Sequence, residues 1–214
     1  MRRVLEPEIL DSLPVDHPEA RRNRRDLALI NRITGNFGWL ADTIPLLARP
    51  GEPVLEIGAG TGDLSRRLHG LGVAADGLDL WPRPADWPEA RAWRTADLRE
   101  FDGFDGYPIL VANLILHQFS APELAVIGRR AGRAARAIVA CEPARLRRSQ
   151  LLFAAVSPFF GANYVTRHDA RVSIAAGFIG GELPELLGLE RDRWECRCSI
   201  TPLGVYRMLA IRRP

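Results

Sequence analysis

The sequence predicts an α/β fold with a mostly parallel sheet and helices on both faces, and three observations lead to this prediction. The chain has 214 residues, 47% of them hydrophobic, which suits one globular domain with a small appendage. From residue 54 onward, short apolar runs alternate with helix-like stretches. The last two apolar runs are separated only by a short turn, which predicts a closing antiparallel hairpin.

Residues 1–50 carry a different pattern, without a strand signal. The stretch DHPEARRNRRDLALINRITGNFGWL has helical spacing, and Asp16 and Glu19 predict a D-x-x-E capping arrangement with Pro18 in the first turn. A second short helix, FGWLADTIPLL, leads into the turn-rich ARPGEP. We therefore expect residues 1–50 to form an N-terminal helical lid and residues 51–214 to form the main domain.

Seven strands are predicted in the main domain. Five parallel strands are expected at VLEIG, VAADGLDL, RAWRTADL, YPILVANL and RAIVACEP, and the hairpin pair is RWECRCSIT and GVYRMLAIRR. Helices are expected at GDLSRRLHGLG, SAPELAVIGRRAG and ARLRRSQLLFAAV. Ser120 and Glu123 form an S-x-x-E capping box, which predicts the start of the second of these helices.

A glycine-rich loop follows the first strand, at the edge where open α/β sheets bind ligands. Gly58, Gly60 and Gly62 let the backbone turn with positive φ and let a ligand approach closely. Asp79 ends the second strand, where a carboxylate can accept hydrogen bonds from both hydroxyls of a ribose. These features suit NAD and S-adenosylmethionine alike.

Glu56 favours the second of these cofactors. It lies inside the first strand, two residues before the loop. A pyrophosphate disfavours a carboxylate so close, whereas a sulfonium or an ammonium group tolerates one. After the third strand, Asp97 and Leu98 can supply a polar contact and an apolar surface for adenine.

Over roughly residues 50–211 the chain resembles the class I S-adenosylmethionine-dependent methyltransferases. The resemblance rests on four features, namely the motif E-x-G-x-G-x-G, the acid after strand two, Asp-Leu after strand three and Asn113 after strand four. The resemblance implies a Rossmann-like, seven-stranded sheet with an antiparallel hairpin. It also implies a cofactor site made of Glu56, Gly58, Ala59, Gly60, Thr61 and Gly62 at the methionine part, Asp79 at the ribose with Leu80 beside it, Asp97 and Leu98 at the adenine, and the backbone of Asn113 and Leu114.

Two histidines are the candidate catalytic residues. In this family the loop after strand four usually faces the acceptor, and here it contains His117, which could take the proton of a hydroxyl acceptor. The alternative is a histidine that only packs against the next helix. His168 lies between strands five and six, where members of the family often insert structure that covers the substrate. Its neighbour Asp169 is also a candidate cap for a turn.

The resemblance implies transfer of the methyl group of S-adenosylmethionine to a small, partly apolar acceptor, at oxygen ahead of carbon or nitrogen. The likeness is greatest to bacterial small-molecule methyltransferases of secondary metabolism. An RNA methyltransferase and an NAD-binding oxidoreductase stay open as alternatives. The loop ANLILHQF lacks the proline and the aromatic residue of the motif found in enzymes that methylate nucleic-acid bases, which counts against RNA.

Composition narrows the partners further. All 29 basic residues are arginine and the net charge is only +3, so nucleic acid is not required as a partner. The three cysteines lack the spacing of a zinc site, and we expect no metal. MRRVLEPEIL lacks a long apolar region, and LLFAAVSPFF is too short to cross a bilayer. We expect a cytoplasmic protein without membrane contact, and the sequence leaves a homodimer open.

Overall fold

The computed structural model of the protein describes residues 1–14 and 16–214. The helices of these residues are α1 (Ile9–Ser12), α2 (Pro18–Thr34), α3 (Asn36–Leu47), α4 (Asp63–His69), α5 (Ala121–Ala134), α6 (Arg147–Val156), α7 (Tyr164–Ala176) and α8 (Glu182–Leu186), with 3-10 turns at Leu116–Gln118 and Ser157–Phe160. The strands are β1 (Pro53–Ile57), β2 (Ala74–Asp79), β3 (Trp93–Thr95), β4 (Ile109–Asn113), β5 (Ala137–Pro143), β6 (Trp194–Ile200) and β7 (Val205–Arg212).

One seven-stranded sheet runs through the molecule in the order β3-β2-β1-β4-β5-β7-β6. Strands β1 to β5 are parallel, and β7 is antiparallel to both β5 and β6. The predicted mostly parallel sheet with an antiparallel C-terminal hairpin is therefore confirmed. Because the parallel strands share one direction, the carboxyl ends of β1, β2, β4 and β5 meet at one edge, where ligands bind in open α/β sheets.

Apolar side chains cover both faces of this sheet. One face packs against α5 and α8 through residues that include Leu110, Ile127 and Leu183. The other face packs against α3 and α4 through residues that include Leu40 and Leu64, both fully buried. Helix α3 thus belongs to the core of the main domain, and the N-terminal helical lid over residues 1–50 stays a prediction.

The N-terminal region differs from its prediction at one helix start. The side chain that caps α2 is His17, whose Nδ1 accepts a hydrogen bond of 3.2 Å from the backbone N–H of Glu19. Asp16 instead forms an exposed ion pair with Arg21, so the predicted capping role of Asp16 is wrong. None of the helices within the described residues combines the length and the apolar composition that a bilayer crossing requires.

Candidate active site

A cavity of about 420 Å³ lies at the carboxyl edge of the sheet, within the size range of small-molecule sites. Its floor is formed by the loop after β1 and by the ends of β2 and β4. Its walls come from α2, α6 and α7, and from the segment of residues 8–11. Most of the wall is apolar, with side chains that include Leu27, Ile30, Leu152 and Ile174.

The glycine loop turns away from β1 through left-handed backbone. Gly58 has φ +69° and donates its N–H to the carbonyl of Leu78 at 2.8 Å, which ties the loop to β2. Gly60 has φ +54°, and no described atom lies within 4 Å of the Cβ that another residue would add there. The loop therefore leaves open space at Gly60, as a ligand close to the backbone requires.

Asp79 anchors this loop from the end of β2. Its Oδ2 accepts the N–H of Gly60 at 2.7 Å, and its Oδ1 accepts the N–H of Trp81 at 2.9 Å. Burial raises the pKa of the Asp79 carboxyl, and the backbone hydrogen bonds oppose that shift. Each carboxylate oxygen can accept more than one hydrogen bond, so both can still bind hydroxyl groups.

Glu56 is a buried acid at the other side of the loop. Its Oε2 accepts two hydrogen bonds from Ser65, one from the backbone N–H at 3.0 Å and one from Oγ. Burial raises the pKa of Glu56 to about 8, against the effect of Ser65 and with a contribution from the charges of Asp79 and Asp63. A cationic group in the cavity would favour the ionised form of this carboxyl.

Three asparagines join the N-terminal helices to the end of β4. Asn36 donates to Asn31 Oδ1 at 3.0 Å and to Asn113 Oδ1 at 3.2 Å. Asn113 in turn donates to Asn31 Oδ1 at 3.1 Å. The cluster fixes α2 and α3 over the part of the cavity that is next to the glycine loop.

His117 lies in the 3-10 turn that follows β4, with only 3% of its surface exposed. Its Nδ1 is 2.7 Å from Glu142 Oε2, and its Nε2 is 3.2 Å from Glu8 Oε1. Burial alone would lower the pKa of this imidazole, but the hydrogen bonds and charges of Glu142 and Glu8 outweigh it and raise the pKa to about 9. In this arrangement His117 is therefore a buried cation between two carboxylates.

Solved structures match the chain although no family model and no curated protein does. The plantazolicin methyltransferase BpumL in complex with SAH has a TM-score of 0.72 and 11% identity, over 96% of this chain and 93% of its own. The pyocyanin biosynthetic protein PhzM has a TM-score of 0.59 and 16% identity, over 92% and 60%. Human N-acetylserotonin methyltransferase in complex with SAM has a TM-score of 0.61 and 14% identity, over 95% and 61%.

The chain has the methyltransferase fold. The likeness confirms the fold that the resemblance implied, including the antiparallel pairing of β6 and β7 that the closing hairpin predicted. Open α/β sheets bind ligands beyond the carboxyl ends of their strands, and the cavity of this chain lies there, at the loop after β1 and the ends of β2 and β4.

The structure brings most of the predicted site residues together in this cavity of the methyltransferase fold. The catalytic candidate His117 shares the cavity with nine of the predicted cofactor residues, namely Glu56, Gly58, Ala59, Gly60, Thr61, Asp79, Leu80, Asn113 and Leu114. Leu114 has φ +57°, which is uncommon for a residue with a branched side chain and is typical of functional sites.

Four predicted residues do not line the cavity. Gly62 caps α4 and faces the ring of Trp87, and Leu98 is buried in the core. The carboxylate of Asp97 binds Arg99, at 3.0 Å from Nη1 and 2.9 Å from the backbone nitrogen. His168 is about one-third exposed and contacts Asp169 at 3.1 Å. The roles of these four residues stay predictions without support from their positions.

Sequence reasoning missed Glu142, which organises the loop that carries His117. This fully buried carboxylate accepts the backbone N–H groups of Ile115, Leu116 and His117, besides contacting the ring of His117. A signal existed, because Glu142 is an acid at the end of a buried apolar strand, as Glu56 is. Glu8 was also missed, and no motif near it could have pointed to His117.

Proposed function

We propose that the protein transfers the methyl group of S-adenosylmethionine to a small, partly apolar acceptor, with a hydroxyl as the acceptor group. The observation that carries this proposal is one shared cavity, which contains Glu56, the glycine loop, Asp79 and His117 together with apolar walls. The solved neighbours in complex with SAH and SAM support the same donor. The cytoplasmic location and a homodimer stay predictions.

The residues present fit S-adenosylmethionine. The open space above Gly60 admits a ligand close to the backbone, and the oxygens of Asp79 can accept from ribose hydroxyls. The buried carboxyl of Glu56 suits an ammonium or sulfonium group and not a pyrophosphate. For the adenine, the side chains that line the cavity beside Asp79 are Leu80 and Trp81, and Asp97 and Leu98 are elsewhere.

When bound, S-adenosylmethionine supplies an electrophilic methyl group that a nucleophile takes by in-line displacement. The protein's part is alignment, exclusion of water and control of one proton. Glu142 fixes the ring of His117 through Nδ1, so that in the neutral form of the ring Nε2 is the atom that would receive the hydroxyl proton. The side chains of α2 and α6 would hold an apolar acceptor body beside it.

Calorimetry and methyl-transfer assays test the proposal. We expect S-adenosylhomocysteine to bind the protein and NAD not to bind. We also expect the protein to methylate simple phenols in preference to amines of the same shape. Binding of NAD alone would overturn the donor assignment. Incorporation into RNA without transfer to small molecules would favour the RNA alternative, and its affinity should then fall steeply with salt.

A further inference from the structure

His117 has no free ring nitrogen in this structure. Nδ1 faces Glu142 and Nε2 faces Glu8, at 2.7 Å and 3.2 Å. A carboxylate at neutral pH can only accept hydrogen bonds, so each ring nitrogen donates and carries a proton. In this state His117 cannot accept the proton of a hydroxyl group.

Glu8 is held in place by several donors. Its Oε1 accepts from His117 Nε2 and from Ser173 Oγ, and its Oε2 accepts from Gln118 Nε2 at 3.2 Å. The hydrogen bonds of Glu8 outweigh the effect of its burial and lower its pKa, so the carboxyl stays ionised. Glu8 therefore acts as a fixed anion on the Nε2 side of the ring.

The chain around Glu8 is attached to α7 by its backbone. The N–H of Val4 donates to the carbonyl of Ala175 at 3.2 Å. The carboxylate of Asp169 accepts the N–H of Ile9 at 2.8 Å and the N–H of Leu10 at 3.1 Å. The position of Glu8 is thus set on both sides by bonds to one helix.

Two cavities meet at the contact between Glu8 and His117. A second cavity of about 400 Å³ adjoins the N-terminal segment, with Leu5, Pro7 and Val172 in its wall. The residues that line both cavities are Glu8, Asp11, His117, Gln118 and Ser173. The side chain of Glu8 therefore stands in the partition, and the second cavity offers room on its other side.

We propose that Glu8 occupies the place of the acceptor hydroxyl, and that an acceptor reaches His117 by displacing the Glu8 side chain into the second cavity. This inference rests on the proposed function, because it assumes a hydroxyl acceptor. In this proposal Glu8 selects the acceptor, because an acceptor must replace the Glu8 carboxylate as the hydrogen-bond partner of His117 Nε2. An ether oxygen can accept a hydrogen bond from protonated Nε2 but has no proton to give to a neutral ring, so only a hydroxyl group can take the place of Glu8 and then hand its proton to Nε2.

Displacement of Glu8 also changes the protonation state of His117. With Glu8 gone from Nε2, only Glu142 remains to raise the pKa of the ring against the effect of burial. The ring then gives its Nε2 proton to solvent more readily, and the neutral Nε2 can accept the proton of the hydroxyl group. Besides Glu142 and Glu8, the charged groups around this contact are Asp11, Asp169, Arg3 and Arg99.

The test uses the full chain saturated with S-adenosylhomocysteine, with 4-propylphenol as the probe and its methyl ether as the matched control. The titration of His117 is followed by NMR on carbon-labelled histidine, and His117→Gln assigns its signal. We expect the phenol to lower the midpoint of His117 by about one pH unit or more, while the ether leaves it unchanged. An unchanged midpoint with bound phenol would overturn the proposal.

Two variants of Glu8 test the displacement itself. In Glu8→Gln the midpoint of His117 should fall without any probe. In Glu8→Ala the phenol should bind about tenfold more tightly than in the original protein, because no charge-assisted hydrogen bond has to be broken. Equal affinity in the two proteins, or no binding of the phenol to Glu8→Ala, contradicts the proposal.

A double-mutant cycle tests the second cavity. Ala176 lines the second cavity and Ala170 lines the first, both on α7. Ala176→Leu should weaken binding of the phenol when Glu8 is present and have no effect in Glu8→Ala, because only Glu8 needs the room. Ala170→Leu, which narrows the first cavity, should weaken binding in both backgrounds.

Equal effects of Ala176→Leu in both backgrounds would contradict the use of the second cavity.

Failure of the proposed function is distinguishable from failure of this inference. A protein that does not bind S-adenosylhomocysteine refutes the methyltransferase proposal. A protein that binds it and methylates the phenol, with His117 and Glu8 unresponsive, refutes only the role of Glu8.

Discussion

Glu142 Oε2 lies 2.7 Å from His117 Nδ1, and both side chains are buried although 25 residues separate them in the chain. The contact joins the end of β5 to the loop after β4, and it fixes which nitrogen of the ring faces the N-terminal segment. Because the imidazolium is stabilised only in the folded protein, the pair also links folding to pH.

We expect the contribution of His117 to stability to disappear at alkaline pH. Its folded-state pKa of about 9 lies above the ordinary value of 6.5, so the protonated ring stabilises the fold below pH 6.5 and this contribution is lost as pH rises through 9. The free energy of unfolding of the original protein, minus that of His117→Gln, should fall over this interval by up to about 3 kcal/mol. Urea unfolding at several pH values measures the difference, and a difference that is constant with pH contradicts a protonated His117.

Asp79 and Asp97 were both assigned to the cofactor, and the structure separates them. Only Asp79 lines the cavity, so Asp79→Ala should raise the Kd of S-adenosylhomocysteine by about tenfold or more. Asp97 contacts Arg99 at a partly exposed position, so Asp97→Ala should change that Kd by less than about twofold. Calorimetry on the two variants decides between the sequence prediction and the structural placement. A large effect at Asp97 would restore it to the adenine site.

Gly60 and Gly58 should respond differently to alanine. At Gly60 the added Cβ meets only open space beside the cavity, so we expect a loss of about 1 kcal/mol in stability from the positive φ and a clear loss of cofactor affinity. At Gly58 the added Cβ lies 2.6 Å from the Cβ of Ile115, so stability should fall by about 1–3 kcal/mol more. Thermal unfolding and calorimetry separate the two effects. Equal stability of the two variants would contradict this packing.

Glu56 should release a proton when S-adenosylmethionine binds. With a pKa of about 8 it is mostly protonated at pH 7, and a neighbouring ammonium or sulfonium favours its ionised form. Calorimetry in two buffers of different ionisation enthalpy should detect the release of up to about one proton. Glu56→Gln keeps an oxygen that accepts from Ser65 and should release none. The same release in both proteins would place the proton elsewhere.

The cofactor half of the site could be predicted because its residues are local in sequence. The glycine loop, Glu56 and Asp79 each sit at the end of a strand, and parallel strands bring their carboxyl ends to one edge whatever the details of packing. Asp97 and Leu98 follow the same rule at β3, yet their side chains contact Arg99 and the core. The position of a residue in the chain therefore predicts at which edge of the sheet it lies, but not the direction in which its side chain points.

The sequence by itself determined the fold class, the antiparallel closing hairpin, and the sheet edge at which Gly58, Gly60 and Asp79 meet. Alternation of apolar runs and glycine spacing are local patterns, and they suffice for these features. Only the tertiary structure decided the surroundings of His117. Glu8 is 109 residues away from it and Glu142 is 25 residues away, and contacts over such distances depend on how the N-terminal segment, β5 and α7 pack together. The state of the ring that would act on the acceptor is therefore a property of the folded chain.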